Sequence, residues 1–302
     1  MKQLFRVFGA LCMAVPAAWA QPAQPAPPPL PEAARPEAPA AEKGPPVSSS
    51  LDGELFYQLL IGEMTARGGE PAAGYSLMLD AARKTGNAQL YQRAADIALQ
   101  SRSGDAALQA AQAWRQALPE SREANRYVLQ ILIALNRITE TVEPLKKELQ
   151  LVPVVEQSQV IASLPRLYVR ASDKKLAAAI LEQGLSAQLA APATGAAAWT
   201  AVGRLRLAAA DLPGALDAAE RGQAIDAAAD GPALLALELM DPKLPRAEPL
   251  VRKYLDNPKA MPEIRMAYAR NLLDAQRYAE ASSQLQVVTR EKPTYPEGWL
   301  VL

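Results

Sequence analysis

The stretch WTAVGRLRLAAADLPGALDAAE, Trp199 to Glu220, decides how the chain reads. It has little polar chemistry, three consecutive alanines and a Pro-Gly pair at 213–214. Trp199 and Val202 stand about one turn apart on one face of a first helix. Gly203 carries no side chain, so a second helix can approach it closely. Asp211 makes a short polar break, and Ala215 is small on the second helix for the same reason. Together these residues predict a tightly packed antiparallel helix pair.

The same layout recurs. IGEMTARGGEPAAGYSLMLDAA (61–82) has Gly62, a break at Gly68-Gly69 and Gly74 at the small contact. Further breaks fall at Gly104, Asn136-Arg137, Ser172-Asp173, Asp241-Pro242 and Ala275-Gln276. The small-contact positions fall near 74, 110, 142, 178, 215, 247 and 281, a mean step of about 34 residues, with Ala281 in the last full unit. Ala and Leu dominate between the breaks, and no alternating strand pattern lasts. Pro144 and Pro249 predict second helices that start late. Pro165 falls inside a first helix and should kink or end it.

A period near 34 with one helix-turn-helix per unit resembles the tetratricopeptide repeat (TPR) family, with Trp199, Val202, Gly203 and Ala215 the best single match. The resemblance covers about 54–302 and implies an all-α, superhelical solenoid of antiparallel helix pairs. Residues 51–302 are expected to form about seven units and the start of an eighth. Trp299 stands where an eighth unit would place its first aromatic, and the apolar Leu300-Val301-Leu302 replaces the polar cap that usually closes an array. That ending predicts either a chain that continues or a short helix docked on unit seven.

The front of the chain reads differently. Lys2 and Arg6 precede an apolar run from Val7 to Ala18, and Ala18-Trp19-Ala20 is a small-x-small cleavage signature, so residues 1–20 are expected to be a signal peptide. Cys12, the single cysteine, follows Gly9-Ala10-Leu11, which puts a bulky Leu where a lipidation motif wants a small residue. Cleavage after Ala20 leaves 30 basic against 32 acidic residues and no thiol. Residues 21–50 hold 10 Pro and 7 Ala without an aromatic, the composition of a disordered spacer or tail. At ~3.1 Å per residue it could reach roughly 90 Å. The expected location is periplasmic, with outer-membrane association left open and no clear anchor encoded.

The near-neutral charge gives no footprint for nucleic acid. Zero histidines remove His-based triads and most zinc or iron sites, and no catalytic, cofactor-binding or metal constellation is found. Ser172-Asp173-Lys174-Lys175 spells S-x-x-K, but in an inter-helix turn without its companion motifs, where Ser172 reads as a helix N-cap. The chain is therefore read as an interaction scaffold and not an enzyme.

The resemblance implies that the first helix of each pair lines the concave face. Those helices carry Arg93, Arg126, Arg166, Arg170, Arg204, Arg206, Arg265 and Arg270. Arg170, Arg204 and Arg270, with Tyr127, are the candidate partner-binding groove, suited to an extended acidic peptide. The alternative is that the arginines are solvated or pair with Glu and Asp of neighbouring helices. Within the TPR resemblance the layout looks somewhat like envelope adaptors that bring peptidoglycan hydrolases to a carboxy-terminal processing protease. Two further readings stay open. One is the TPR arm of a polysaccharide-export machine. The other is the recruitment region of an enzyme with its catalytic domain beyond residue 302.

Overall fold

The computed structural model describes residues 52–301, which fall in one compact unit. The expected signal peptide, the Pro/Ala spacer, Cys12 and Leu302 lie outside the described residues. Every regular element described is helical. Unit one pairs α1 (Gly53–Arg67) with α2 (Pro71–Thr85), and unit two pairs α3 (Ala88–Gln100) with α4 (Gly104–Ala117). Unit three pairs α5 (Arg122–Ala134) with α6 (Val142–Gln150), and unit four comprises α7 (Val154–Leu167) and α8 (Lys174–Gly184). A four-residue helix, α9 (Ser186–Leu189), intervenes. Unit five pairs α10 (Gly195–Ala208) with α11 (Leu212–Ile225), unit six α12 (Asp230–Glu238) with α13 (Ala247–Leu255), and unit seven α14 (Pro262–Asp274) with α15 (Tyr278–Glu291). A final helix, α16 (Pro296–Val301), packs on α15.

Five units turn from first to second helix in the same way. Gly69, Arg102, Asn136, Ala210 and Gln276 all have positive φ, between 57° and 98°. In each case the next residue's N–H reaches back five residues: Glu70 to Thr65 O, Ser103 to Ala98 O, Arg137 to Leu132 O, Asp211 to Arg206 O and Arg277 to Leu272 O, at 2.8–3.0 Å. This Schellman closure satisfies carbonyls that a helix end leaves bare. Units four and six lack it, and both carry proline there. Pro165 is buried near the end of α7, which passes into a 3-10 turn, Tyr168–Arg170. Unit six replaces the tight turn with a longer link containing Pro242 and Pro245. Pro144 and Pro249 are each the third residue of a nine-residue second helix.

The core is built from the small residues of the pattern and the aliphatic side chains around them. Gly62, Val202, Gly203, Ala215 and Ala281 are buried, and Trp199 is buried with its indole N–H donating to Leu189 O at 3.1 Å. A Cβ on Gly74 would stand 2.7 Å from Gly62 O, so α1 and α2 meet glycine to glycine. One aliphatic cluster runs from Leu129 to Leu205 and a second from Ala215 to Ala281. Most helices pack on the next, but α7 packs instead on α10, and α8 on α6 and α10; first helices meet again where α10 packs on α12 and α12 on α14. Among the described residues no helix is long and apolar enough to cross a membrane.

Candidate functional site

The face made by successive first helices holds a cavity of about 550 Å³ spanning units four, five and six. Three apolar positions, Ala162, Leu205 and Leu234, lie on α7, α10 and α12, and Val169 stands at its edge, 66% exposed. Arg166, Lys174 and Arg204 bring three cations to the same walls. Arg166 and Arg204 occupy equivalent places on α7 and α10, each seven residues before the capping aspartate of the following helix, Asp173 and Asp211, and Glu238 on α12 lies 34 residues beyond Arg204. Lys174 donates to Tyr168 O at 3.2 Å and to Val169 O, tying the start of α8 to the 3-10 turn. The floor is rigid. Tyr168 is fully buried, its hydroxyl lies 2.8 Å from Thr141 Oγ1, and burial pushes its pKa up to about 12. A partly apolar cleft rimmed by guanidinium and ammonium groups suits an apolar side chain flanked by a carboxylate.

The four residues read from sequence as a groove stand apart. Arg204 lines this cavity, and its guanidinium donates to Glu238 at 3.2 Å across the unit boundary. Arg170 is exposed at the end of the 3-10 turn, and Arg270 is exposed on α14. Neither has an ion partner among the described residues. Tyr127 is packed between units: its ring lies 5.3 Å from Trp114, and its hydroxyl accepts from Gln92 at 2.8 Å and donates to Asp96 at 3.3 Å. Burial raises its pKa, with the Gln92 bond opposing. Arg93 and Arg206 bond to Glu63 and Glu182 of adjacent units. Arg265 donates to Gln284 and Leu255 O. Ser172 is not the cap of α8. Asp173 is: α8 starts at Lys174, so Asp173 holds the cap position and accepts from Leu176 N at 2.9 Å, while Ser172 N–H donates to Asn136 Oδ1.

A second centre of charge, invisible as a motif, joins units six and seven. Glu248 accepts from both Arg277 nitrogens at 2.8 Å, from Arg252 at 2.7 Å and from the Tyr268 hydroxyl at 2.7 Å. The Arg277 bonds are the main reason its pKa falls to about 2, against an opposing push from burial. Arg277 and Arg252 also reach Glu280. This network packs beside the long link of unit six, where a cavity of about 870 Å³ opens between Leu237, Met240, Leu244 and Asn271.

No family profile matches the chain, and no curated protein sequence does. Solved structures of similar architecture include PilW, a widely conserved type IV pilus biogenesis factor. It is 18% identical with a TM-score of 0.31, over 79% of this chain and 99% of that one. A tetratricopeptide repeat protein from Parabacteroides merdae is 12% identical with a TM-score of 0.34, over 83% and 98%. The TPR2AB domain of yeast Sti1, solved with an HSP90 peptide, is 15% identical with a TM-score of 0.30, over 81% and 93%. At these scores none of them fixes a shared function.

Proposed function

We propose that this TPR-like array is a protein-binding scaffold of the cell envelope, and that its face of first helices holds an extended segment of a partner protein. The observation that carries the reading is the cleft across α7, α10 and α12, where Arg166 and Arg204 recur at equivalent positions around apolar walls. Three consecutive units offering one continuous surface is how a stack of helix pairs presents an extended ligand. The partner segment is acidic, with an apolar residue beside its carboxylates. Arg170 and Arg270 would serve as outlying contacts at either side of the cleft. The leader-like first twenty residues support an exported, periplasmic protein. Delivery of peptidoglycan hydrolases to a processing protease is the finer form of the proposal, supported by the order of leader, spacer and array.

The test is a crosslinked pull-down from envelope extract with the full chain and with the Arg166→Glu/Arg204→Glu double variant. Both side chains are on the surface of the cleft, so circular dichroism should be unchanged. A small set of partners that disappears with the double variant supports the reading. A set that persists unchanged refutes the cleft as the binding site.

A further inference from the structure

The first helix of the array carries an apolar face that the other described residues leave exposed. Phe56, Tyr57, Leu60 and Met64 are 56%, 65%, 45% and 61% exposed, the densest group of large exposed apolar side chains on any one helix described. They share one side of α1, because steps of four residues keep nearly to one face. The opposite side is fully engaged with α2: Leu59 and Ala66 join the core, a Cβ on Gly62 would meet Met78, and Gln58 donates to Leu77 O at 2.9 Å. The outward residues are thus surplus to packing within unit one. Isolated exposed apolar residues are ordinary; a contiguous patch marks an interface.

We infer that this face is a homodimer contact, in which α1 of one copy lies antiparallel on α1 of a second across a two-fold axis at Leu60. Phe56 and Met64 lie four residues to either side of Leu60. An antiparallel mate therefore sets Phe56 against Met64 twice and Leu60 against Leu60, a self-complementary arrangement of the kind a two-fold interface requires. Thioether against aromatic ring is a favourable pairing. The charges select the direction. Asp52 and Glu54 lie at the N-terminal end of α1 and Arg67 at its C-terminal end. Antiparallel pairing brings each acidic end to a basic one and opposes the helix dipoles, whereas parallel pairing would bring like charges together. The competing ion pairs within the copy are weak: Arg67 lies 3.6 Å from Glu63, a carboxylate already held by Arg93, and Lys84 lies 3.5 Å from Glu54 on exposed side chains. Four side chains cover on the order of 400 Å² per copy, about half a standard interface. The dimer is therefore expected to be weak and in exchange with monomer.

Sedimentation velocity of the full mature chain, from about 1 to about 300 μM, reads this directly. The expected result is a concentration-dependent dimer that Leu60→Glu shifts at least tenfold toward monomer with an unchanged helical spectrum. A second measurement uses cysteine placement, with Cys12 replaced by Ser if the leader is retained. Leu60→Cys, on the axis, should oxidise to a covalent dimer, while Val155→Cys, 90% exposed on α7, should not. Phe56→Cys and Met64→Cys should crosslink to each other faster than either does to itself. A chain that stays monomeric throughout, including because its own N-terminal residues cover the patch, overturns the proposal. So does a dimer insensitive to Leu60→Glu. Self-linking of Phe56→Cys in preference to mixed linking overturns the antiparallel arrangement.

Discussion

Gly203 on α10 lies against the Leu235 side chain of α12, so closely that a methyl group on the glycine would overlap the leucine. The same methyl would stand 3.1 Å from Ala218 Cβ and 3.4 Å from Ala215 O, both on α11. One missing side chain thus closes a helix pair and seats the following unit. Alanine normally favours a helix over glycine by about 1 kcal/mol. Here the end of the Leu235 side chain would have to shift within a fully buried core, and that repacking is expected to outweigh the gain. Gly203→Ala should lower stability by about 1 kcal/mol or more and Gly203→Val by roughly 2–3 kcal/mol, read from urea midpoints. An alanine variant more stable than the parent would refute the close-approach argument.

The recurrent turn makes the opposite prediction. Ala210 holds φ at 58° with no side-chain bond to compensate, whereas glycine reaches that region freely. Ala210→Gly should raise stability by about 0.5–1 kcal/mol, net of the entropy glycine adds to the unfolded chain. Gly69→Ala, at φ 98°, should lower it. Thermal melts of the two variants must move in opposite directions for the shared turn geometry to matter as argued.

Acid should loosen the junction of units six and seven. Glu248 is held near 2, below the ~4.3 of an unfolded glutamate, so its contribution is complete above that value and disappears as pH falls toward 2. Allowing for solvent around the network, about 1–2 kcal/mol is at stake. Glu248→Gln should remove that part of the acid dependence and leave the curve above pH 5 parallel to the parent's. Denaturant melts at stepped pH would expose an unchanged acid limb, which would contradict the assignment.

Alkali should act on buried phenols. Tyr168 and Tyr254 are both pushed up to about 12, in each case first by burial, with Asp230 adding to the effect at Tyr254. A raised phenol stabilises fully below its unfolded value near 10 and loses that contribution as pH rises through 12. Ultraviolet titration of the nine tyrosines should therefore show late ionisation that coincides with loss of helix. Tyr168→Phe should reduce the late fraction, and it should cost about 1 kcal/mol at neutral pH by removing the phenol's bond to Thr141 Oγ1, which keeps only its own bond to Ile138 O. If all phenols ionise near pH 10 with helix intact, these two are not buried as described.

The helix pairs were legible because glycine, alanine and short polar breaks repeat where chain contact and chain reversal require them. Asn136 and Gln276 lie within predicted breaks and turn through the same left-handed geometry. The insertion of α9 was not legible, since in the alanine-rich run around 186–197 Pro192 and Gly195 mark a break without showing that a separate four-residue helix precedes it. That insertion separates Arg166 from Arg204 by 38 residues, while Arg204 and Glu238 are 34 apart. Which arginines remain free depends on what lies one period away. Arg204 meets Glu238 and Arg93 meets Glu63, a relation visible only once the period is used to align opposite charges. Tyr127 was placed in the groove because it sits on a first helix; its partners Trp114 and Gln92 belong to the preceding unit and turn it inward.

No hydrogen bond involving a side chain reaches further than 36 residues among the described ones, as from Ser172 to Asn136. Nothing in such a molecule knows its own length. A block of one period could be duplicated or excised at a Schellman turn and leave every remaining contact with a neighbour of the right kind, so long as the new junction preserves a seat like that of Gly203 against Leu235. The number of units is then free to follow the size of whatever the array must span, and the composition of each exposed face can drift independently of the frame beneath it.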